Sequence, residues 1–182
     1  YYSPMDWSWA ALNLDLPADE PLAWMDFVRN GQNQNPDGWK RFVRYVHSQL
    51  KELMTNYGKI DLLWYDGIWH QTPDQWELAE INSTIRKLQP HIVINNRAAG
   101  LNNKYPEFQE DYDTPENEIP LNIEPQQRPW EACLCMNDTW GYIPGDKNTK
   151  SVRRCLYTLL RVRSAGGNLL LNTSPKGDGA MP

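Results

Sequence analysis

The chain has 182 residues and a formal net charge of −5. That length is enough for one domain with a core, and the acidic balance argues against a nucleic-acid partner. No apolar run approaches the length of a membrane span, so no membrane partner is expected. Nine Trp and nine Tyr against three Phe predict bulky packing for most of these rings and ligand-stacking faces for the others.

Cysteine and histidine indicate neither a disulfide framework nor a metal site. The three cysteines are an odd number, so no complete set of disulfides is implied. Cys133 and Cys135 would point to the same face of a strand, a spacing that favours buried free thiols over zinc. The three histidines are spread along the chain and form no ligand cluster: His47, His70 and His91.

The first half of the chain alternates helix and strand. Apolar residues at helical spacing predict a helix over 39–57, which Gly58 ends. The short apolar run 60–66 predicts a buried strand that ends in an acid. Thr72, Pro73 and Gln75 fit the cap, first turn and capping box of a second helix, and 91–97 is predicted to be the next strand.

The second half has two strand-like pieces with no helix between them, one near 110–113 and one over 130–136. A third helix is predicted over roughly 149–165, ended by Gly166-Gly167. We expect this helix to bury one apolar face, and the last strand to follow over 168–172. The residues expected on this buried face are Val152, Cys155, Leu156, Leu159 and Leu160.

Strands that alternate with helices predict a parallel sheet covered by helices on the outside. Polar residues end each predicted strand, as they do where the carboxyl ends of a (β/α)₈ barrel converge on one site. An open doubly wound sheet is the rival, but it would usually carry a glycine-rich phosphate loop after its first strand, and none is present. About six strand ends of eight are found, so we expect residues 1–182 to be one partial catalytic domain, an α/β TIM-like barrel without its N-terminal strands. The long segments 10–38 and 117–129 are predicted to be loops on it.

The chain opens on Tyr1 without an initiator Met and stops in a loop-like stretch. We therefore expect a piece of a longer protein, with any targeting segment upstream. A barrel that lacks strands exposes unpaired edges and an uncovered core, so residues 1–182 alone are predicted to be inactive and poorly folded.

Asp66 is the first candidate catalytic residue, because it ends a strand beside an aromatic and before a glycine, in Leu63-Trp64-Tyr65-Asp66-Gly67. Glycosidases need such a carboxylate beneath an oxocarbenium-like transition state. An Asp that caps a helix or a turn fits this pattern equally well.

The acidic segment 110–116 is the second candidate. Glycosidases need a second acid that is protonated at rest and reaches the glycosidic oxygen. A solvated acidic loop would have the same composition, and the pattern leaves four candidates: Glu110, Asp111, Asp113 and Glu116.

A series of motifs in one order resembles glycoside hydrolase family 29, the α-L-fucosidases, through nearly the whole chain. Each motif is weak alone, but seven at fitting spacings are hard to obtain by chance. They are Tyr1-Tyr2-Ser3 with Asp6-Trp7, Leu63-Trp64-Tyr65-Asp66, Asn95-Asn96-Arg97, Thr114-Pro115-Glu116, Trp130-Glu131, Trp140-Gly141-Tyr142 and Gly166-Gly167-Asn168-Leu169-Leu170-Leu171-Asn172.

The resemblance implies a retaining, exo-acting α-L-fucosidase. It makes Asp66 the nucleophile and Glu116 the acid/base, and it assigns hydrogen bonds to sugar hydroxyls to Arg97. Tyr2 and Trp64 match pocket residues, and Trp140 matches an aromatic that faces the fucose methyl group. The family's pocket also uses histidines from earlier strands of the barrel. Those strands and their histidines are not part of residues 1–182.

Alternatives remain for several of these residues. Arg97 could pair with Glu110 or Asp111 in a structural role, Trp64 could be core, and Glu131 could be the acid. The activity could belong to a barrel glycosidase for another sugar, or the chain could be a sugar-binding barrel remnant without turnover.

The resemblance also sets expectations about partners and location. The substrate is expected to be a fucosylated oligosaccharide or glycoconjugate. Two carboxylates supply the covalent and proton-transfer chemistry, so no metal or organic cofactor is expected. A secreted, periplasmic or lysosomal location is expected, and the oligomeric state is left open.

Overall fold

The computed structural model describes residues 1–4, 21–67, 71–98, 108, 110–120 and 128–181. In the first helix, which begins at Pro21, side chains are described from Met25 onward. It is an α/β structure, as the alternating pattern predicts. It comprises two compact units, Tyr1–Asp111 and Tyr112–Pro182.

The described part of the first unit contains three helices and a short parallel sheet. Its elements are α1 (Pro21–Gln34), α2 (Pro36–Asn56), β1 (Leu62–Leu63), α3 (Leu78–Leu88) and β2 (Val93–Ile94). β1 pairs with β2 in parallel, Leu62 opposite Val93. A parallel bridge between Tyr2 and Tyr65 adds a third chain segment to this sheet.

Two helices occupy much of the segment 10–38 for which the composition predicts a loop, so that prediction is wrong for 21–38. The Asn and Pro residues there are helix-start signals instead. The Asn35 side chain accepts a hydrogen bond from Gly38 N at 2.9 Å, and Pro36 stands in the first turn of α2. An N-cap oxygen of this kind stabilises a helix by about 1 kcal/mol. Residues 10–20 of the predicted loop lie outside the described residues.

The core of the first unit lies between α2, α3 and the sheet. Trp39, Phe42, Val46 and Leu50 of α2 are buried there, as the spacing predicts. Tyr57, the last residue of the predicted face, is instead exposed because α2 ends before it. The same cluster of buried side chains includes Leu63, Trp76, Ile81, Ile85 and Ile94 from the rest of the unit.

The predicted capping box at Thr72 forms, but the helix starts later. Thr72 N donates to Gln75 Oε1 at 2.7 Å, and Gln75 N donates to Thr72 Oγ1 at 3.3 Å. A turn follows, and α3 begins at Leu78 because Glu77 adopts a left-handed conformation with φ of 52°.

The second unit contains β3 (Glu131–Cys135), α4 (Val152–Ser164) and β4 (Asn168–Asn172). β3 and β4 pair in parallel from Glu131 opposite Asn168 to Cys135 opposite Asn172. Asp113 and Glu116 form parallel bridges with Trp130 and Cys133, so a third segment runs along β3. Consecutive parallel segments on one sheet are what the sequence pattern predicts for this half.

Two glycines make the turn from α4 into β4. Gly166 follows the helix with φ of 77°, a conformation that favours glycine. A Cβ on Gly167 would overlap the indole ring of Trp130. Only a residue without a side chain allows this approach, so Gly166-Gly167 sets both the helix end and the packing of Trp130.

The apolar face predicted to be buried on α4 is mostly exposed, and that prediction is wrong within this chain. Val152 is 77% exposed and Leu160 is 68% exposed, and Leu156 and Leu159 are also exposed; Cys155 is half-buried. The helix packs on its own sheet mainly through Val162, which contacts the core around Trp130 and Ala132. The periodicity correctly marks an apolar stripe, but the described residues do not cover it.

A polypeptide limited to residues 1–182 is expected to melt without a sharp transition and to bind a hydrophobic dye. The reason is the open apolar stripe on α4, since large exposed apolar patches are uncommon in stable monomers. Calorimetry and dye fluorescence measure this. Leu160→Lys should reduce dye binding, while Val162→Lys should disrupt the second unit. Sharp cooperative melting without dye binding would contradict the expectation.

Two further features concern the cysteine side chains and the lengths of the helices. The three cysteines are free, and Cys133 and Cys135 are buried as predicted. Burial raises the pKa of the Cys135 thiol, which disfavours the reactive thiolate. Within the described part of the chain, no helix has the length and apolar character needed to cross a membrane.

Candidate active site

Asp66 lies at the carboxyl end of the segment that contains β1. Its backbone N–H donates to Tyr2 O at 2.9 Å, and Tyr2 N donates to Trp64 O at 2.8 Å. The side chain is 21% exposed, and Gly67 turns the chain away with φ of 73°. The carboxylate is thus held on a paired backbone with part of its surface open, as a reacting group at a strand end must be.

Arg97 follows β2 and contacts both Asp66 and Trp64. Its guanidinium carbon lies 4.5 Å from the centroid of the Trp64 ring, and Nη1 lies 3.3 Å from Asp66 Oδ1. The Arg97 side chain is only 3% exposed, so this cation–π contact is largely desolvated and is worth about 2 kcal/mol. The aromatic ring and the carboxylate together fix the position of the guanidinium.

Tyr1 also contacts Trp64 and Asp66. Its ring stacks on Trp64 with centroids 5.5 Å apart and an interplanar angle of 23°, and its hydroxyl donates to Asp66 Oδ2. Each oxygen of the carboxylate therefore accepts a hydrogen bond, one from Arg97 and one from Tyr1. The sequence motifs alone do not assign Tyr1 to the site.

The structure does not bring Tyr2 to this site. Its ring is buried in the core and packs edge-on against Tyr65, with centroids 6.5 Å apart, and its hydroxyl donates to Gln49 Oε1 of α2 at 2.8 Å. Its neighbour Tyr1, and not Tyr2, contacts Asp66 and Trp64. The period-two alternation of strands could have indicated this, because a Tyr2–Tyr65 pair places Tyr1 on the side of Trp64 and Asp66.

Asn95 supports the backbone next to Asp66, and sequence reasoning missed this role. The fully buried Asn95 amide accepts from Tyr65 N and donates to Tyr65 O, both at 3.0 Å. The Tyr65 hydroxyl donates to Asn82 Oδ1 at 3.0 Å, and burial raises its pKa well above the ordinary value, so it stays a neutral donor. Such satisfied buried polar groups rigidify the chain that carries a functional residue.

Asp111, one of the open candidates in the acidic segment, has a structural role. Its Oδ2 accepts from Arg86 Nη2 at 2.7 Å and from the backbone N–H of Ile94 at 2.8 Å. Its own N–H donates to Ile94 O at 2.8 Å. The Asp111 carboxylate thus extends the hydrogen bonding of β2 and forms an ion pair with Arg86.

Glu116 and Glu131 lie in the second unit in different surroundings. The backbone around Glu116 pairs with β3, since Cys133 N donates to Pro115 O and Asn117 N to Cys133 O, both at 3.0 Å, and the Glu116 side chain is exposed. Glu131 is buried and accepts from Asn168 Nδ2 at 2.7 Å. This contact ties β3 to β4.

Trp140 lies on the loop that follows β3, and its side chain is 43% exposed. The backbone carbonyl of Trp140 accepts from Asn172 Nδ2 at 2.8 Å. A cavity of about 190 Å³ lies nearby, between the loop and the end of β4. Its wall is mainly apolar and includes Met136, Tyr142, Ile143 and Met181, with Asn137 and Asp146 among its polar groups.

Metal ligands do not cluster in the part of the chain that the structure describes: no group of three His, Cys, Asp or Glu side chains is placed to hold an ion there. The chemistry available at Asp66 is that of a carboxylate held by two hydrogen-bond donors beside stacked aromatic rings. A positioned carboxylate can act as a nucleophile or base, and aromatic faces stack on the C–H faces of sugars.

These features, an α/β fold with a strand-end carboxylate beside aromatic rings, are typical of glycoside hydrolases. The particular family follows from comparison. The model of the α-L-fucosidase family matches residues 1–182, and the chain belongs to this family.

Two relatives and two solved structures illustrate the similarity. An α-L-fucosidase from Dictyostelium discoideum is 26% identical over 155 residues, 82% of this chain and 32% of that protein. The tissue α-L-fucosidase of Mus musculus is 27% identical over 175 residues, 88% of this chain and 36% of that protein. The chain thus spans about a third of the length of these curated relatives.

Among solved structures, α-L-fucosidase isoenzyme 1 from Paenibacillus thiaminolyticus matches with a TM-score of 0.79 and 34% identity, over 100% of this chain and 44% of that one. An α-L-fucosidase from Lactobacillus casei, solved in complex with α-L-fucose product, matches with a TM-score of 0.63 and 28% identity, over 83% of this chain and 45% of that one.

Proposed function

We propose that this chain is part of the catalytic domain of a retaining, exo-acting α-L-fucosidase and that Asp66 is its nucleophile. The observation that carries the proposal is the Asp66 carboxylate, partly open to solvent and held by Arg97 and Tyr1 at a strand end. Membership of the α-L-fucosidase family supports the proposed reaction and sugar.

The first step forms a bond from Asp66 to the anomeric carbon of the fucose. The bond from that carbon to the leaving oxygen breaks as Glu116 gives its proton to this oxygen. In the second step Glu116 takes a proton from water, whose oxygen attacks the anomeric carbon and releases Asp66. The configuration is inverted twice and is therefore retained.

The hydrogen-bond donors on Asp66 prepare it for attack. Arg97 and Tyr1 hold the plane of the carboxylate, so little reorganisation is needed when the bond forms. Trp64 holds both donors through its ring. We assign the pocket role expected for Tyr2 to Tyr1, because Tyr2 is in the core. Trp140 forms an apolar wall for the fucose methyl group.

The full enzyme is a (β/α)₈ barrel to which both units belong as one domain. The parallel pairing in each unit supports this proposal, and so does the open apolar stripe of α4, since neighbouring elements cover such faces in a complete barrel. The substrates are fucosylated oligosaccharides or glycoconjugates, and the location is secreted, periplasmic or lysosomal.

A panel of nitrophenyl glycosides on the full-length protein tests this function, and NMR of the first-formed sugar tests its stereochemistry. We expect hydrolysis of the α-L-fucoside in preference to other glycosides, with α-L-fucose as the first product because the mechanism retains configuration. Early appearance of the β-anomer would exclude Asp66 as a nucleophile. Preference for another glycoside would indicate a different barrel glycosidase, and fucose binding without hydrolysis would indicate a sugar-binding protein.

A further inference from the structure

Ser174 has an uncommon backbone conformation. It lies two residues after β4, its side chain is fully buried, and its φ is 49°. This left-handed region is unfavourable for residues other than glycine and, to a lesser degree, asparagine and aspartate. A strained conformation persists only when surrounding interactions hold it, and such residues often cluster at functional sites.

The interactions that hold Ser174 come from the loop that carries Trp140. The Ser174 hydroxyl lies 2.7 Å from Asn137 Oδ1 and 2.9 Å from Thr139 O, and can donate to either. Its oxygen also accepts from Asn172 Nδ2 at 3.2 Å. The same Asn172 nitrogen lies 2.8 Å from Trp140 O. Two side chains at the end of β4 therefore bind the backbone carbonyls on both sides of the Trp140 Cα.

The Trp140 side chain is only partly held by burial. Nearly half of its side chain is exposed, so burial alone does not fix its ring. Within the loop, Thr139 Oγ1 donates to Gly141 O at 2.8 Å, which shapes the turn but does not connect it to the sheet. The bonds from Ser174 and Asn172 provide that connection.

We propose that Ser174, together with Asn172, is a positioning residue for Trp140 and thereby determines how well the enzyme selects a sugar with a C6 methyl group. This inference rests on the proposed function of Trp140 as the wall for that methyl. Ser174 is fully buried, so its effect on selectivity passes through the loop.

Two substitutions separate the effect of losing the Ser174 hydroxyl from the effect of relieving the backbone strain at this residue. Ser174→Ala removes the hydroxyl and keeps a side chain at positive φ, whereas Ser174→Gly removes the hydroxyl and relieves the strain. The glycine variant should therefore melt at a higher temperature than the alanine variant. If positioning depends on the hydroxyl, both variants should lose selectivity to the same extent despite this difference in stability.

The experiment measures kcat/KM of the full-length enzyme for nitrophenyl α-L-fucoside and α-L-galactoside, which differ only by the hydroxyl at C6, below the melting range of every variant. Trp140→Ala should reduce the fucoside-to-galactoside ratio by about tenfold or more, as expected for loss of an apolar contact. Ser174→Ala and Ser174→Gly should each reduce it by roughly threefold to tenfold. In the Trp140→Ala background, Ser174→Ala should have no further effect on the ratio, because the two residues act through one element.

Backbone hydrogen exchange provides a second readout that does not depend on activity. The amides of 138–142 should exchange faster in both Ser174 variants than in the wild type. Unchanged ratios or unchanged exchange in both variants would overturn the proposal, as would an effect of Ser174→Ala that persists in full without Trp140. If the wild type hydrolyses fucosides but Trp140→Ala leaves the ratio unchanged, this inference and the role proposed for Trp140 fail, while the proposed fucosidase activity stands. A wild type that hydrolyses no fucoside would refute the proposed function itself.

Discussion

Replacement of Asp66 by glycine in the full-length enzyme is expected to lower turnover of α-L-fucosides by about four orders of magnitude or more, because the covalent intermediate cannot form without the carboxylate. The fold should persist. Asp66 is partly exposed and its contacts are polar, so its loss leaves little void in the core. Circular dichroism should show wild-type secondary structure, with a somewhat lower melting temperature because Arg97 loses a partner.

An external anion should restore part of this activity. Glycine leaves space beneath the anomeric carbon, which azide can enter to attack in place of the carboxylate. With an aryl fucoside that carries a good leaving group, the product should be β-fucosyl azide, of inverted configuration, because only one displacement occurs. NMR of the product and the rate as a function of azide concentration measure the rescue.

Asp61 provides a matched control on the same strand segment. It lies at the amino-terminal end, pairs with Lys59, and is exposed. Exposed ion pairs contribute little, and residues at that end of a barrel strand serve stability rather than catalysis. Asp61→Gly should therefore keep near wild-type turnover and show no response to azide. Wild-type turnover in Asp66→Gly would refute the assignment of the nucleophile.

The position of Asp66 was predictable because its signals are local. A short apolar run, a terminal acid and a glycine define a strand end without reference to the rest of the chain. The buried face of α2 was predictable for the same reason, because the helical spacing of Phe42, Val46 and Leu50 places these apolar side chains on one face. Glycine at positions 166 and 167 likewise predicts the helix end that the structure shows.

Other features could not be predicted because a partner distant in the sequence decides them. Apolar periodicity in α4 marks a stripe, but it cannot say whether the covering element lies in the same 182 residues. The choice between Tyr1 and Tyr2 depends on strand register, because a shift of one residue exchanges the two faces. The support that Asn95 gives to Tyr65 is a contact between a side chain and a distant backbone, which no spacing rule reveals.

Glu116 and Glu131 can be separated by their response to the leaving group. Glu116→Ala should lower hydrolysis of natural fucosides by about 10²–10⁴, the usual contribution of a general acid–base group. Cleavage of activated aryl fucosides should be affected far less, since a good leaving group needs little protonation. The covalent intermediate should then accumulate, because its hydrolysis still needs a base.

Azide distinguishes this defect from that of the Asp66 variant. It is already a nucleophile and needs no base, so it should attack the intermediate of Glu116→Ala and give α-fucosyl azide, of retained configuration. The matched control is Glu131→Gln, whose amide oxygen can still accept from Asn168 Nδ2 as the carboxylate does. It should keep turnover within about tenfold of the wild type and give no azide product, because a neutral acceptor suffices for a structural contact. If Glu131→Gln instead shows the leaving-group dependence and the α-azide product, the acid/base role belongs to Glu131, and the exposed Glu116 is a solvated acid of the loop.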